Sequence, residues 1–119
     1  MMPSNKQTIS YFPLRVYIED TDAGGIVFYA NYLNYFERAR TEFFRARSFE
    51  LRKGITENIN YVVHSLSVQY KKSARLDDEL VVSTEVIKTG KTFLIFNQQV
   101  FNKENALLVD AEGKIACLH

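Results

Sequence analysis

The spacing of apolar residues changes once along the chain, from a helical repeat to a strict alternation. Across residues 31–47, apolar side chains recur at alternating steps of four and three, which predicts one apolar stripe on a long helix. The stripe consists of Tyr32, Phe36, Ala39, Phe43 and Ala46. Leu33, Tyr35 and Phe44 widen it, so we expect this helix to be buried on more than one side.

Patterns typical of strands lie on both sides of the helix. Residues 14–18 are apolar and β-branched, which favours a strand, and a polar loop with two glycines follows at residues 19–25. Beyond Gly54 the period becomes two, and the alternation predicts a half-buried strand. Its apolar face is predicted to carry Val62, Leu66, Val68 and Tyr70.

Three more strands are predicted after that one. They span residues 80–87, residues 93–101 and a segment that begins near Leu107. A turn at residues 89–91 and a hairpin loop at residues 102–105 separate them. In the last strand the apolar face is predicted to consist of Leu107, Val109, Ala111, Ile115 and Cys117.

The order of these elements predicts an α+β fold. A strand, a loop and a long helix are followed by four consecutive strands, and the short connections among the four favour antiparallel neighbours. One apolar helix against one curved antiparallel sheet satisfies this pattern. We expect residues 1–119 to form a single domain whose modest core would gain from burial against a partner subunit.

Composition excludes several classes of protein. Lysine and arginine total 15 against 14 acidic residues, so no strong positive field predicts nucleic-acid binding. No apolar run approaches the ~20 residues of a membrane span, and residues 1–10 lack the apolar stretch of a signal peptide. A cytoplasmic protein without stable membrane insertion is therefore expected. The single cysteine, Cys117, excludes an intrachain disulfide and a cysteine-rich zinc site, and no metal or cofactor is expected.

The candidate chemistry lies in the loop before the helix. Glu19, Asp20 and Asp22 crowd into four positions, although like charges this close repel one another. Gly24 and Gly25 allow the backbone to turn tightly or to approach a ligand, and the helix that follows offers free N–H groups to developing negative charge. A carboxylate beside such donors can hydrolyse an activated acyl group. A simple turn and helix cap is the alternative explanation.

Two motifs connect this loop to a known family. They read Asp22-x-x-Gly25-Ile-Val-Phe-Tyr29-x-Asn-Tyr32 and Phe36-Glu37-x-Ala39-Arg40. The chain resembles 4-hydroxybenzoyl-CoA thioesterase-like hotdog proteins from about Leu14 to its C-terminus. Segments 19–25, 37–42 and 74–78 are similar to the bacterial YbgC-type acyl-CoA thioesterases linked to the Tol–Pal cluster. The resemblance implies a hotdog fold, in which a curved antiparallel sheet wraps around one long central helix.

The resemblance also implies roles for individual residues. Asp22 matches the catalytic aspartate, which acts either as a general base on water or as a nucleophile. Tyr29 matches the position whose backbone N–H polarises the thioester carbonyl, although the subfamily often carries histidine there. Gly25 matches the glycine that permits close approach of the thioester, and Val27 and Tyr32 are assigned to substrate binding. The substrate implied is an acyl-CoA, so coenzyme A belongs to the substrate.

Several other residues are either candidate ligands or ordinary structural residues. His64 is predicted on the apolar face of its strand, where a structural histidine is expected rather than a catalytic one. Lys71, Lys72, Arg75 and Lys91 are candidates for contacts with the phosphates of coenzyme A, and the alternative is a solvated face. Cys117 is expected in the core, and Cys117 with His119 does not make a zinc site.

Rival functions differ in the site that they require. The sites of hotdog dehydratases and hydratases resemble an Asp or Glu paired with a histidine, usually at Asp-x4-His spacing. Here the fifth residue after Asp22 is Val27, which argues against this function. An acyl carrier protein thioesterase and a non-enzymatic module that binds acyl chains or an envelope protein stay open as alternatives. The resemblance further implies a homodimer or homotetramer, in which edge-to-edge pairing would satisfy an exposed sheet edge.

Overall fold

The computed structural model describes residues 9–47 and 60–118. Within these ranges the chain forms one α-helix and five strands, β1 (Ser10–Arg15), α1 (Tyr32–Ala46), β2 (Asn60–Tyr70), β3 (Glu79–Thr89), β4 (Phe93–Phe101) and β5 (Leu107–Leu118). Short 3-10 turns occupy Ile18–Asp20 and Tyr29–Asn31. Gly54 and His119, both considered above, lie outside the described residues. No helix in the described ranges is long and apolar enough to cross a membrane.

The five strands form one antiparallel sheet in the order β1-β3-β4-β5-β2. The predicted run of antiparallel neighbours is confirmed for β3, β4 and β5. It is wrong for β2, which pairs with β5 and not with β3. Residues 71–78 carry the chain across the end of the sheet. Backbone hydrogen bonds hold this segment: the N–H groups of Lys71 and Lys72 both donate to the Leu108 carbonyl, and Val27 N–H donates to the Ala74 carbonyl.

Helix α1 packs against one face of this sheet through two apolar clusters. The first half of the helix, including Tyr35 and Phe36, packs with Val82, Val100 and other residues of β3, β4 and β5. The second half contributes Phe43 and Phe44 to a cluster with Val86, Leu94, Phe96 and Ile115. The prediction of a helix buried on more than one side is wrong, because the face away from the sheet is exposed, including Arg38 and Arg45. On the face towards the sheet, the predicted apolar residues are buried. Leu33 and Ala46 are exceptions, because they lie near the two ends of the helix and are exposed.

The first strand lies earlier in the chain than predicted. Its pairing with β3 runs from Ser10 opposite Thr84 to Arg15 opposite Glu79, whereas residues 14–18 were expected. Ile18 is exposed and begins the 3-10 turn. Local propensity identified an apolar segment, but pairing ends at Arg15 because the partner strand begins at the residue opposite it, Glu79.

Strand β2 is an edge strand with an irregularity between Val63 and Ser65. Val62 lies opposite Ala116, whereas Val63 lies opposite the buried Ile115, so Val62 does not share the predicted face with Leu66. His64 sits at the irregularity and is exposed, so the prediction of a structural histidine on an apolar face is wrong. An extra residue in one strand reverses the alternation beyond it.

A second register shift lies at the start of β5. It falls between Val100 and Phe101 of the partner strand, and Leu108 is buried while Leu107 is only half-buried. Val109, Ala111 and Ile115 are buried as predicted. Cys117 is half-buried rather than in the core, because it lies near the end of β5 beside the edge strand.

Candidate active site

The loop between β1 and α1 folds back on itself as a tight turn. Thr21 and Val27 form an antiparallel bridge that closes the turn. Inside it, Asp22 N–H donates to the Ile26 carbonyl at 2.9 Å, and Gly25 N–H donates to the Asp22 carbonyl at 3.1 Å. Asp22 is therefore held by hydrogen bonds through both its backbone groups.

The Asp22 side chain is exposed and its orientation is fixed locally. Its Oδ1 accepts a hydrogen bond of 2.8 Å from Gly24 N–H. A Cβ atom at Gly24 would lie 3.3 Å from that oxygen, which is closer than ordinary van der Waals contact. Gly25 has a φ of +79°, a left-handed conformation that L side chains rarely adopt, and its carbonyl accepts from Leu76 N–H. Gly24 thus orients the Asp22 carboxylate, whereas Gly25 provides the left-handed backbone conformation of the turn.

Tyr29 begins the 3-10 turn that leads directly into α1. Phe28 N–H donates to the Asp20 carbonyl at 3.0 Å, and Asn31 N–H donates to the Phe28 carbonyl at 2.8 Å. Tyr29 N–H is not among the backbone donors that find an acceptor in the described part of the chain. The first N–H groups of a helix lack intrahelical partners and carry partial positive charge. As far as the described residues show, the Tyr29 N–H can therefore donate to a ligand.

A surface cavity of about 300 Å³ joins the turn to the start of the helix. It is lined by Asp22, Ile26, Val27, Phe28, Tyr29, Tyr32, Tyr70, Lys71, Lys72 and Ser73. Four of the five predicted site residues, Asp22, Val27, Tyr29 and Tyr32, thus lie at one cavity. Gly25 does not line it, and the structure places this glycine in the turn that supports Asp22. The individual roles of these residues stay predictions.

Three tyrosines form one wall of the cavity. The ring of Tyr70 lies 6.1 Å from that of Tyr29 and 5.7 Å from that of Tyr32, measured between centroids. The Tyr70 hydroxyl donates to the Tyr29 carbonyl at 3.1 Å, and Ala74 N–H donates to the Tyr32 hydroxyl at 3.1 Å. Burial raises the pKa of Tyr32 and Tyr70, so both hydroxyls stay protonated and neutral at physiological pH. The sequence pattern placed Tyr70 on an apolar strand face and gave no sign of this hydrogen bond.

The structure separates the four basic residues considered for phosphate contacts. Lys71 and Lys72 line the cavity that contains Asp22. Arg75 and Lys91 do not line it. Arg75 N–H donates to the Asp78 carboxylate, and Lys91 lies in the turn between β3 and β4. Only the first two lysines are placed to meet a ligand at this site.

The three crowded carboxylates occupy different environments. Glu19 and Asp22 are exposed, whereas Asp20 is only 7% exposed. Repulsion is reduced because the Asp20 carboxylate turns away from solvent into a set of hydrogen bonds. Within the described ranges, no group of three or more His, Cys, Asp or Glu side chains is arranged to hold a metal ion.

Comparison with known proteins places the chain among thioesterases by sequence. Residues 24–109 match the family model described as the Thioesterase superfamily. The chain is 43% identical over 111 residues to the acyl-CoA thioester hydrolase YbgC of Escherichia coli O6:H1, covering 93% of this chain and 83% of that protein. It is also 43% identical over 108 residues to the acyl-CoA thioesterase YbgC of Haemophilus influenzae, covering 90% and 79%.

Comparison of structures gives the same fold. The DHNA-CoA thioesterase of Staphylococcus aureus superposes with a TM-score of 0.89 at 24% sequence identity, covering 92% of this chain and 74% of that one. At this identity the likeness concerns the fold alone, and it confirms the predicted hotdog arrangement of one helix against a five-stranded antiparallel sheet. With a family match that spans most of its length, the chain belongs to the Thioesterase superfamily.

Proposed function

We propose that this protein hydrolyses acyl-CoA thioesters to the free acid and coenzyme A, with Asp22 as the carboxylate that drives the reaction. One observation carries the proposal: Asp22 and Tyr29, the first residue of the helical turn, line the same cavity. Membership of the Thioesterase superfamily and the identity to two YbgC thioesterases support it.

The reaction needs a polarised carbonyl and an activated oxygen. The thioester oxygen would accept a hydrogen bond from Tyr29 N–H, where the helix dipole also favours negative charge. A well-placed donor of this kind contributes about 10²–10³ in rate. Because a thiolate is a good leaving group, one carboxylate with one donor set suffices for the chemistry.

Asp22 has two possible roles in this arrangement. As a general base it takes a proton from water while the water oxygen bonds to the acyl carbon, and the tetrahedral intermediate then expels the thiolate, which receives the proton. As a nucleophile its carboxylate bonds to the acyl carbon and expels the thiolate, and water then hydrolyses the mixed anhydride and restores the carboxylate. Both routes consume one water and yield one acid and one thiol.

The cavity walls suggest how the substrate binds. Val27 and Tyr32, which line the cavity and are 4% and 3% exposed, are the proposed acyl contacts, and Gly25 supports the turn that presents Asp22. Lys71 and Lys72 supply positive charge for phosphate groups. Coenzyme A is the proposed carrier because the relatives are acyl-CoA thioesterases, and acyl carrier protein is the alternative.

Assembly of two or four copies would complete the site. The edge strand β2 exposes the apolar side chains of Val62, Val63, Leu66 and Tyr70. Pairing of this edge with a second copy would satisfy its free backbone groups and bury these residues beside the cavity. We therefore propose a homodimer or homotetramer that acts in the cytoplasm, a compartment in which the free Cys117 stays reduced.

The direct test is thiol release from a panel of acyl-CoAs and acyl carrier protein thioesters. The wild-type protein is compared with Asp22→Asn and with Glu19→Gln, an exposed carboxylate of the same loop. Asp22→Asn is expected to lower kcat by about 10²–10⁴ and Glu19→Gln by less than about twofold. Full activity of Asp22→Asn would refute its assignment. Release from no substrate would favour the non-enzymatic binding module instead.

A further inference from the structure

The first aspartate of the Asp-Thr-Asp segment is buried beside the site. Asp20 is 7% exposed, whereas Asp22, two residues later, is exposed. Burying a carboxylate is unfavourable unless hydrogen bonds replace its lost hydration. In the described part of the chain, none of the salt bridges involves Asp20. Its stability in this position therefore depends on neutral hydrogen-bond donors.

Donors from two parts of the loop reach the Asp20 carboxylate. Tyr17 N–H donates to Oδ2 at 2.8 Å, and the Asn31 side-chain amide donates to Oδ1 at 2.9 Å. The first bond closes the turn that contains Asp20 itself. The second bond spans eleven residues and ties the carboxylate to the last residue of the turn Tyr29–Asn31.

The surroundings restrict how this pair can move. Asn31 Oδ1 accepts a hydrogen bond of 2.8 Å from the Asn34 side chain, which orients the amide towards Asp20. Tyr35, which has no exposed surface, lies on the helix next to the carboxylate, and burial together with the Asp20 charge raises the pKa of its hydroxyl. The Asp20–Asn31 pair is thus held between a fixed loop and a buried helix face.

The pair occupies a symmetrical place relative to the proposed catalytic groups. Asp20 precedes Asp22 by two residues, and Asn31 follows Tyr29 by two residues. The backbone bond from Phe28 N–H to the Asp20 carbonyl and the Thr21–Val27 bridge fix the loop up to residue 28. The Asp20–Asn31 bond extends this support from the loop into the turn that carries Tyr29 N–H.

We propose that Asp20 is a positioning residue: its bond to Asn31 fixes the distance between the Asp22 carboxylate and the Tyr29 N–H. This inference rests on the proposed function. A displacement of about 1 Å between reacting groups lowers rates by about 10²-fold. Loosening of the Asp20–Asn31 bond therefore lowers kcat without removing the groups that bind substrate.

The test removes and then restores this one bond. Asn31→Ala deletes the donor, and Asn31→Asp places a second carboxylate against Asp20. The double variant Asp20→Asn with Asn31→Asp reverses donor and acceptor and can form the same side-chain bond. Asn97→Ala is the matched control, because Asn97 also donates a side-chain hydrogen bond to an aspartate, Asp110 Oδ1 at 3.2 Å, and does not line the cavity.

We expect Asn31→Ala and Asn31→Asp to lower kcat about tenfold or more, with KM changed by less than about threefold. The double variant should recover kcat to within about threefold of the wild-type value, and Asn97→Ala should stay within about twofold. Thermal unfolding of each variant shows whether it is folded at the assay temperature. A purely structural role would lower stability without this separation of kcat from KM.

Two outcomes overturn the inference and can be told apart. Wild-type kcat in Asn31→Ala, or no recovery in a folded double variant, refutes the positioning role while Asp22→Asn remains inactive. If the wild-type protein releases thiol from no substrate, the proposed function fails and the positioning role fails with it.

Discussion

The hydroxyl group of Tyr70 donates a hydrogen bond of 3.1 Å to the carbonyl oxygen of Tyr29. Tyr70 is the last residue of the edge strand β2, and Tyr29 is the first residue of the helical turn at the cavity. Their rings meet edge to face. The end of a strand therefore supports the peptide that follows the proposed oxyanion donor, Tyr29 N–H.

Replacing Tyr70 with phenylalanine tests this support. The change keeps the ring contacts and removes one hydrogen bond, which is worth about 0.5–1.5 kcal/mol. We expect kcat to fall by about threefold to tenfold, measured by initial rates of thiol release. Tyr11→Phe, on the exposed face of β1, serves as the control and should leave kcat unchanged. An unaltered kcat in Tyr70→Phe would show that only ring packing matters.

The adjacent glycines are expected to respond differently to alanine. Gly25→Ala places a side chain at a φ of +79° with open space around it, so the cost is backbone strain of about 1–2 kcal/mol in the free energy of unfolding. Gly24→Ala brings a Cβ atom to 3.3 Å from the Asp22 oxygen and displaces the carboxylate. We expect it to lower kcat with little loss of stability. Urea unfolding and initial rates on both variants measure the two effects, and each variant is the other's control.

A buried polar network joins α1 to the sheet and governs stability away from the site. Arg40 donates to the Gln98 side chain at 2.9 Å and to Glu37 at 2.8 Å, and Gln98 donates to Thr84 Oγ1 at 2.9 Å. Burial lowers the pKa of Arg40, and its ion pair with Glu37 opposes that shift. Gln98→Leu leaves a buried guanidinium without one partner, so we expect the free energy of unfolding to fall by about 2–4 kcal/mol.

The control for that network is a double-mutant cycle. Arg40→Met combined with Gln98→Leu removes both partners and should recover part of the loss seen with Gln98→Leu alone. Chemical denaturation of the four proteins gives the coupling energy. Strict additivity of the two single changes would contradict the network.

Ionisation of tyrosines with raised pKa values is expected to weaken the fold at alkaline pH. Burial is the main cause that raises the pKa of Tyr32, Tyr35 and Tyr70 above the ordinary value of 10.0, and for Tyr35 the Asp20 charge adds to it. A raised pKa means that the folded state keeps its protons longer than the unfolded chain does. Stability is therefore fully present below about pH 10 and falls as pH rises above it.

Tyr35→Phe separates this effect from packing. In the described part of the chain, the Tyr35 hydroxyl is buried without a partner in hydrogen-bond geometry, so its removal should change stability at pH 7 by less than about 1 kcal/mol. The variant should lose stability less steeply than the wild type between pH 9 and about pH 11, as measured by urea unfolding. Parallel pH profiles for the two proteins would contradict the prediction.

Elements whose burial repeats regularly along the chain can be predicted from the amino-acid sequence. Residues 93–101 were predicted as a strand and form β4, and the long helix was predicted to within one residue at each end. These segments can be predicted because each buries one regular face, which appears in the sequence as a regular spacing of apolar residues. The motif from Asp22 to Tyr32 likewise indicated where the site would lie, and four of its five predicted residues meet at one cavity.

The tertiary structure was needed to show which segments pair and which side chains contact one another. It placed β2 beside β5, shifted the register at His64 and brought the Tyr70 hydroxyl to Tyr29, over 41 positions of sequence separation. It also gives two aspartates different environments. Asp20 is buried and accepts a hydrogen bond from Asn31, whereas Asp22 is exposed at the cavity. A local sequence pattern indicates that one face of a segment is buried, but it does not indicate which segment packs on that face, because long-range pairing depends on the whole sheet.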